Sequence, residues 1–109
     1  MPTGVSLICR HGLNHKHITG NQYESGNWVV SDQVADELVR IRGLITLHEH
    51  QNEKAWHGGR VLGWRASETD GKKIFLYEVT PEFRDFVCRT NWGMEKAYHE
   101  EFGHMAMPK

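Results

Sequence analysis

Cysteine is scarce in this chain, charge of one sign is not in excess, and no long apolar run occurs. Its two cysteines, Cys9 and Cys88, stand far apart and neither belongs to a CxxC pair. Both are expected as free thiols in a reducing, cytoplasmic setting rather than as a disulfide framework. The formal net charge of -1 argues against a protein that coats nucleic acid through phosphates alone. Any nucleic-acid contact would have to come from a local patch or a base pocket. No apolar stretch approaches the roughly 18 residues of a membrane span, and no charged-then-apolar leader opens the sequence, so neither a span nor a secretory signal is expected. At 109 residues the chain is read as a single domain, 1–109.

Histidine, by contrast, is abundant, with eight copies. Net charge should therefore turn positive as pH falls through the imidazole range. The densest chemistry is His48-Glu49-His50 followed by Ala55-Trp56-His57-Gly58-Gly59. Alternation over Leu44–His50 predicts a strand with His48 and His50 on one face, and Glu49 on the other with Ile45 and Leu47. His57 is expected just beyond a polar turn, with Gly58-Gly59 leaving the backbone open to a ligand or another strand.

Further strands are predicted at Val5–His11, at Trp28–Val30, at Arg60–Ala66 and at Lys73–Val79, the last two joined through Asp70-Gly71 and closed by Pro81. His11–Gly26 is polar and broken by glycines, and is read as a long loop. Ser31 or Asp32 should cap a helix whose Val34, Ala35, Leu38 and Ile41 form a stripe, with Gly43 as its stop. Met94, Tyr98 and Phe102 recur at helical spacing and predict a short C-terminal helix. The strands carry one apolar set (Leu7, Ile45, Leu47, Leu62, Trp64, Ile74, Leu76) for a single core. The expected class is α+β: a small, mostly antiparallel β-barrel of five or six strands with one or two flanking helices. An open α+β sheet with one flanking helix is the alternative.

Several patterns could carry chemistry. His48, His50 and His57 have the residue types of a zinc or iron site, with no cysteine near; a ligand-contacting role and a merely polar strand face also fit them. His11, His15 and His17 match no metal spacing and are read as part of the solvated loop. His99 and His104 are five apart, about 100° out of phase for the zincin helix motif, which is therefore rejected. Cys9 and His11 share one strand too closely for a nucleophile pair. Among the four tryptophans, Trp56 between Lys54 and His57 looks least like a core residue, and Trp28 beside Asn27 could line a pocket. An aromatic wall with an amide and an imidazole suits a planar, hydrogen-bonding ligand such as a flipped base. Arg10, Arg60, Arg65, Lys72 and Lys73 form a modest basic set compatible with weak phosphate contacts.

The stretch from Asn27 to Glu78 resembles the PUA-like superfamily, in particular its EVE and ASCH branches. What carries the resemblance is the order of features. The short Trp-containing strand Asn27-Trp28-Val29-Val30 leads into a helix from Asp32 to Leu38; a strand from Leu44 to His50 resembles the family's pocket-lining segment, and a Gly-preceded strand from Gly59 to Trp64 is followed by a hairpin. The resemblance implies a small β-barrel that binds RNA or modified DNA bases. The Lys/Glu/Thr set of its hydrolytic members has no counterpart here, so it implies binding more than catalysis. The expected function is thus a nucleic-acid or modified-nucleotide binding module without a cofactor. Trp28 and Trp56 would stack on the base, Asn27, His48 and His57 would bond its edge, and Arg10 and Arg65 would contact phosphate. The rival readings are a hydrolase or oxygenase holding zinc or iron at His48, His50 and His57, and a small inhibitor acting on a protein partner.

Overall fold

Alternating and β-branched residues draw most of the described backbone into one sheet, and the capped apolar stripe after Ser31 forms a helix that packs on it. The computed structural model describes residues 3–9, 12, 14–50, 53–68, 71–80 and 96–99. In chain order the elements are β1 (Gly4–Ile8), β2 (His15–Thr19), β3 (Gln22–Trp28), α1 (Asp32–Ile41), β4 (Leu44–His48), β5 (Ala55–Ala66), β6 (Lys73–Val79) and β7 (Lys96–His99). The strands form a seven-stranded sheet in the order β2-β3-β6-β5-β4-β1-β7. All neighbours are antiparallel except β1 and β4, whose parallel register runs from Gly4↔Leu44 to Ile8↔His48. The domain is α+β with a β-rich core. The sheet is open, with β2 and β7 as its edges, so the expected barrel gives way to the open-sheet alternative.

The helix follows the sequence closely. The Ser31 hydroxyl accepts from the Val34 amide at 3.2 Å, which satisfies one of the donors a helix start leaves without a partner. Ala35 and Leu38 enter the core, while Arg42, at φ 53, takes the left-handed position that ends the helix. Gly43 follows it where a side chain could not fit: a Cβ there would stand 2.8 Å from the Thr3 carbonyl oxygen. Lys73 ties the helix start to the sheet. Its buried ammonium donates to the Val30 carbonyl at 2.6 Å, pairs with Asp32 at 2.7 Å and lies over the Trp64 ring. Ser31→Ala is expected to lower stability by about 1 kcal/mol, read as a drop in thermal midpoint.

The core lies on the helix-covered face. It gathers Val5, Leu7, Cys9, Trp28, Val30, Ala35, Leu38, Ile45, Leu47, Val61, Phe75 and Tyr77. Three of the seven residues in the expected apolar set prove out of phase: Leu62, Ile74 and Leu76 are only half-buried, and Val61, Phe75 and Tyr77 take the inner positions. A register shift between Val61 and Gly63 lets both Val61, opposite Tyr77, and Trp64, opposite Phe75, face the core.

Two expected elements are corrected. His15–Thr19 and Gln22–Trp28 form a hairpin where a loop was expected, turning through Gly20-Asn21 with Gly20 at φ 51. Lys96–His99 is a strand on the outer edge of β1, where a helix was expected from Met94, Tyr98 and Phe102. The open hydrogen-bonding edge of β1 gives this segment backbone partners that an isolated short helix lacks. Met94 and Phe102 lie outside the described residues, as do Cys88, Asp70, Pro81 and His104.

Candidate functional site

Chemistry concentrates at one end of the helix-covered face, where β2, β3, β5 and β6 bring rings together. Cross-strand partners share a face of a sheet. The pairs His15↔Ser25, His17↔Tyr23, Tyr23↔Tyr77, Val61↔Tyr77 and Leu47↔His57 therefore place His15, His17, Tyr23, His57 and Tyr77 on the core side. Trp56 joins them through a bulge: Leu47 pairs with His57 but His48 with Ala55, so Trp56 is the extra residue. A bulge re-aims a side chain that strict alternation would send to the other face. As a result the Trp56 and His57 rings stack, with centroids 5.6 Å apart.

Tyr77 is the hub. It is fully buried, and its Oη lies 2.6 Å from His15 Nε2 and 2.5 Å from His57 Nδ1. Burial, with smaller contributions from Cys9 and Tyr23, holds its phenol above the ordinary tyrosine range, so it stays protonated. A phenol offers one proton and two lone pairs, so Oη can accept from one imidazole N–H while donating to the other ring. Tyr23 stacks on His15 at 5.2 Å, and Trp56 meets the His15 ring edge-on at 5.0 Å. The Trp56 indole donates to the Cys9 carbonyl at 3.2 Å, which anchors this wall to the end of β1. Burial lowers the His15 pKa, so the ring is neutral at pH 7. Cys9 is a buried thiol pushed up to about 11, chiefly by burial, and stays protonated at neutral pH.

Of the residues expected to form the site, the structure unites Trp56 and His57. Trp28 is buried toward the Lys73 end of β6, with its indole donating to Ser25 Oγ at 3.0 Å. Asn27 is half-buried and accepts from the Ser67 hydroxyl at 2.6 Å. Arg65 is exposed and forked onto Glu24 at 3.0 and 3.1 Å, which draws the Glu24 carboxyl below its usual range. Arg10 lies outside the described residues. Within the expected basic set, Lys73 is buried and Arg60 donates to the Arg42 carbonyl.

His48 belongs to the other face. It shares that side with Thr46 and Ser6, opposite to His57, and is fully buried. Its Nδ1 faces the Glu53 carbonyl at 2.8 Å, which can only accept, so Nδ1 carries the proton. Nε2 of the neutral ring then accepts from Thr46 Oγ1 at 2.9 Å, and Thr46 accepts from Ser6 Oγ at 2.7 Å. His50 is exposed beyond the strand. His48, His50 and His57 therefore do not converge, and among the described residues no group of three or more His, Cys, Asp or Glu is placed to hold a metal ion. Likewise, no helix among the described residues is long and apolar enough to cross a membrane.

His15, His17, Tyr23 and Tyr77 were not expected in the site. The signal that could have found the first three is Gly20-Asn21, a two-residue hairpin pair that folds His15 and His17 onto Tyr23. No protein-family model, curated protein or solved structure matches this chain.

Proposed function

We propose that the ring cluster at the end of the sheet is a binding site for a planar, hydrogen-bonding ligand, best represented by a nucleobase or modified nucleotide. The observation that carries this reading is the convergence of His15, Tyr23, Trp56 and His57 around the buried Tyr77 hydroxyl, with all four of the surrounding rings half-buried. Half-buried aromatic faces provide stacking surface, and imidazoles supply donors and acceptors for a base edge. The relevant set has moved from the one expected: Trp56 and His57 remain, and His15 and Tyr23 take the places of Trp28 and His48. With a near-neutral chain and Arg65 engaged by Glu24, the base carries recognition in this reading and phosphate contacts are secondary. The same reading keeps the chain among base-binding modules of the PUA-like kind, acting on nucleic acid or nucleotide in the cytoplasm.

The test is a titration of nucleosides and short oligonucleotides, plain and modified, followed by tryptophan fluorescence at low salt. Saturable quenching is expected, and Trp56→Ala should weaken binding by about 1–3 kcal/mol, the range for one base–aromatic stack. A Trp56→Ala protein that loses about 3–5 kcal/mol of stability, the range for emptying a core aromatic site, with affinity unchanged would make Trp56 a structural plug. No saturable response from any ligand would end the proposal.

A further inference from the structure

The hydrogen-bond chain from His15 through Tyr77 to His57 has a property that stacking does not require. We infer that it is a proton relay, and that it makes His15 the general base of a site able to take a proton from a planar, conjugated compound carrying an acidic C–H or N–H. The inference rests on the ring cluster being open to planar ligands, as in the base-binding reading, but not on the ligand being a nucleobase.

Each link of the chain, Nε2 of His15 to Oη at 2.6 Å and Oη to Nδ1 of His57 at 2.5 Å, holds one proton, whichever atom owns it. When both imidazoles are neutral, the arrangement with Nε2–H of His15 donating to Oη, and Oη–H donating to His57, leaves a lone pair on Nδ1 of His15. That nitrogen belongs to a half-buried ring on the edge strand β2, at the margin of the cluster. In the reaction the ligand's C–H or N–H bond breaks, its electron pair stays in the ligand's conjugated system, and a new N–H bond forms at Nδ1 of His15. The Nε2 proton then passes to Oη as the phenol proton passes to Nδ1 of His57. The positive charge ends on His57, and His15 is neutral again. Nothing is oxidised or reduced, and the reverse sequence returns the proton to the ligand.

The surroundings suit this. The phenol is too deeply buried to ionise, so the two transfers through it must be concerted and leave it neutral throughout. A second proton would give both imidazoles N–H groups aimed at Oη, removing the phenol's acceptors and placing two charges on rings 4.9 Å apart. The pair therefore takes up one proton as a unit and resists the next. Among the described residues, the other titratable groups facing it include Tyr23 of β3, His17 of β2 and Cys9 after β1. A base that is neutral at pH 7, held next to aromatic walls, is the arrangement that general-base catalysis needs.

A nitrobenzisoxazole tests it without knowledge of the natural ligand. A base removes the proton from the ring carbon, the nitrogen–oxygen bond breaks, and a coloured cyanophenolate forms. The whole protein should open the ring roughly 100-fold faster than free imidazole at equal concentration, the lower range of general-base catalysis. His15→Ala and His15→Gln, each checked for folding by thermal melting, should fall to the free-imidazole rate. Tyr77→Phe keeps His15 but cuts the relay, so the rate should drop and its pH midpoint should move. In the unaltered protein, nuclear magnetic resonance should show His15 and His57 sharing one titration step, a readout that survives even if a variant fails to fold. A rate equal to free imidazole, a folded His15 variant with full activity, independent titration of the two rings, or an unchanged pH profile in Tyr77→Phe would each overturn the inference. Ring opening without nucleoside binding would remove the nucleobase reading and leave this one standing; nucleoside binding without ring opening would do the reverse.

Discussion

Gly59→Ala is expected to destabilise the protein by an amount at or above the top of the ~1–3 kcal/mol range for overpacking. A Cβ at Gly59 would sit 1.9 Å from the Glu78 carbonyl oxygen, 2.7 Å from its carbon and 3.0 Å from the Val79 Cα. All three are backbone atoms of β6, so no rotamer change relieves the clash, and β5 and β6 would have to part near the middle of the sheet. Gly63 in the same strand is the control, since a Cβ there would meet nothing within 4 Å. Gly63→Ala should be near neutral, in keeping with an open site where alanine also restricts the unfolded chain. Urea unfolding of both variants checks the contrast, and equal midpoints would mean that the strands do not approach this closely in solution. The result also bears on function, because His57 and Tyr77 flank this contact and depend on the β5–β6 spacing. Of the two uses expected for Gly58-Gly59, a neighbouring strand accounts for Gly59.

How much of this could be read from the residues depended on whether local pattern and tertiary pairing agreed. The helix was legible because its cap at Ser31 and its stripe through Ala35 and Leu38 both act locally. β6 was legible because Lys73–Val79 is a compact run of β-formers behind a turn. The phase of the core was not, because a bulge exists only in the pairing of two strands, and the Val61/Gly63 shift exchanges inner for outer residues without changing composition. β2 and β3 failed for another reason. Their inner residues are His15, His17, Tyr23 and Ser25, so alternation between faces produces no alternation in hydrophobicity.

The site shows the same division. Trp56 and His57 stood out as neighbours, yet strict alternation would have placed them on opposite faces, and only the bulge opposite Leu47 and His48 stacks them together. His48 stood out equally, but its strand is buried on both faces, so a position two residues from Thr46 reads as a satisfied interior group. Tyr77 could be read as an aromatic in a strand. Its role as the shared partner of two imidazoles needs the far ends of β2 and β5 to meet over β6, which no local window contains.

Acid should unfold this protein earlier than its net charge suggests, and His48 should be the principal cause. The ring is 0% exposed, and burial lowers its pKa from the ordinary 6.5 despite the opposing help of the Glu53 carbonyl. Between the ordinary value and the lowered one, the unfolded chain binds a proton that the folded chain refuses. Stability is therefore complete above about pH 6.5 and falls as pH drops below it, by at most about 1.4 kcal/mol per pH unit for this one proton. His15, lowered by burial as well, acts in the same direction over the same range. Urea midpoints measured from about pH 8 to about pH 5 should be flat at first and then decline. His48→Gln can keep a donor toward Glu53 without a titrating ring, so its curve should fall less steeply from whatever level it starts, by the equivalent of about one proton. Parallel curves for the two proteins would show that His48 gains its proton in the folded state as easily as in the unfolded one, and the buried Ser6–Thr46–His48 chain would then not be held by a neutral imidazole.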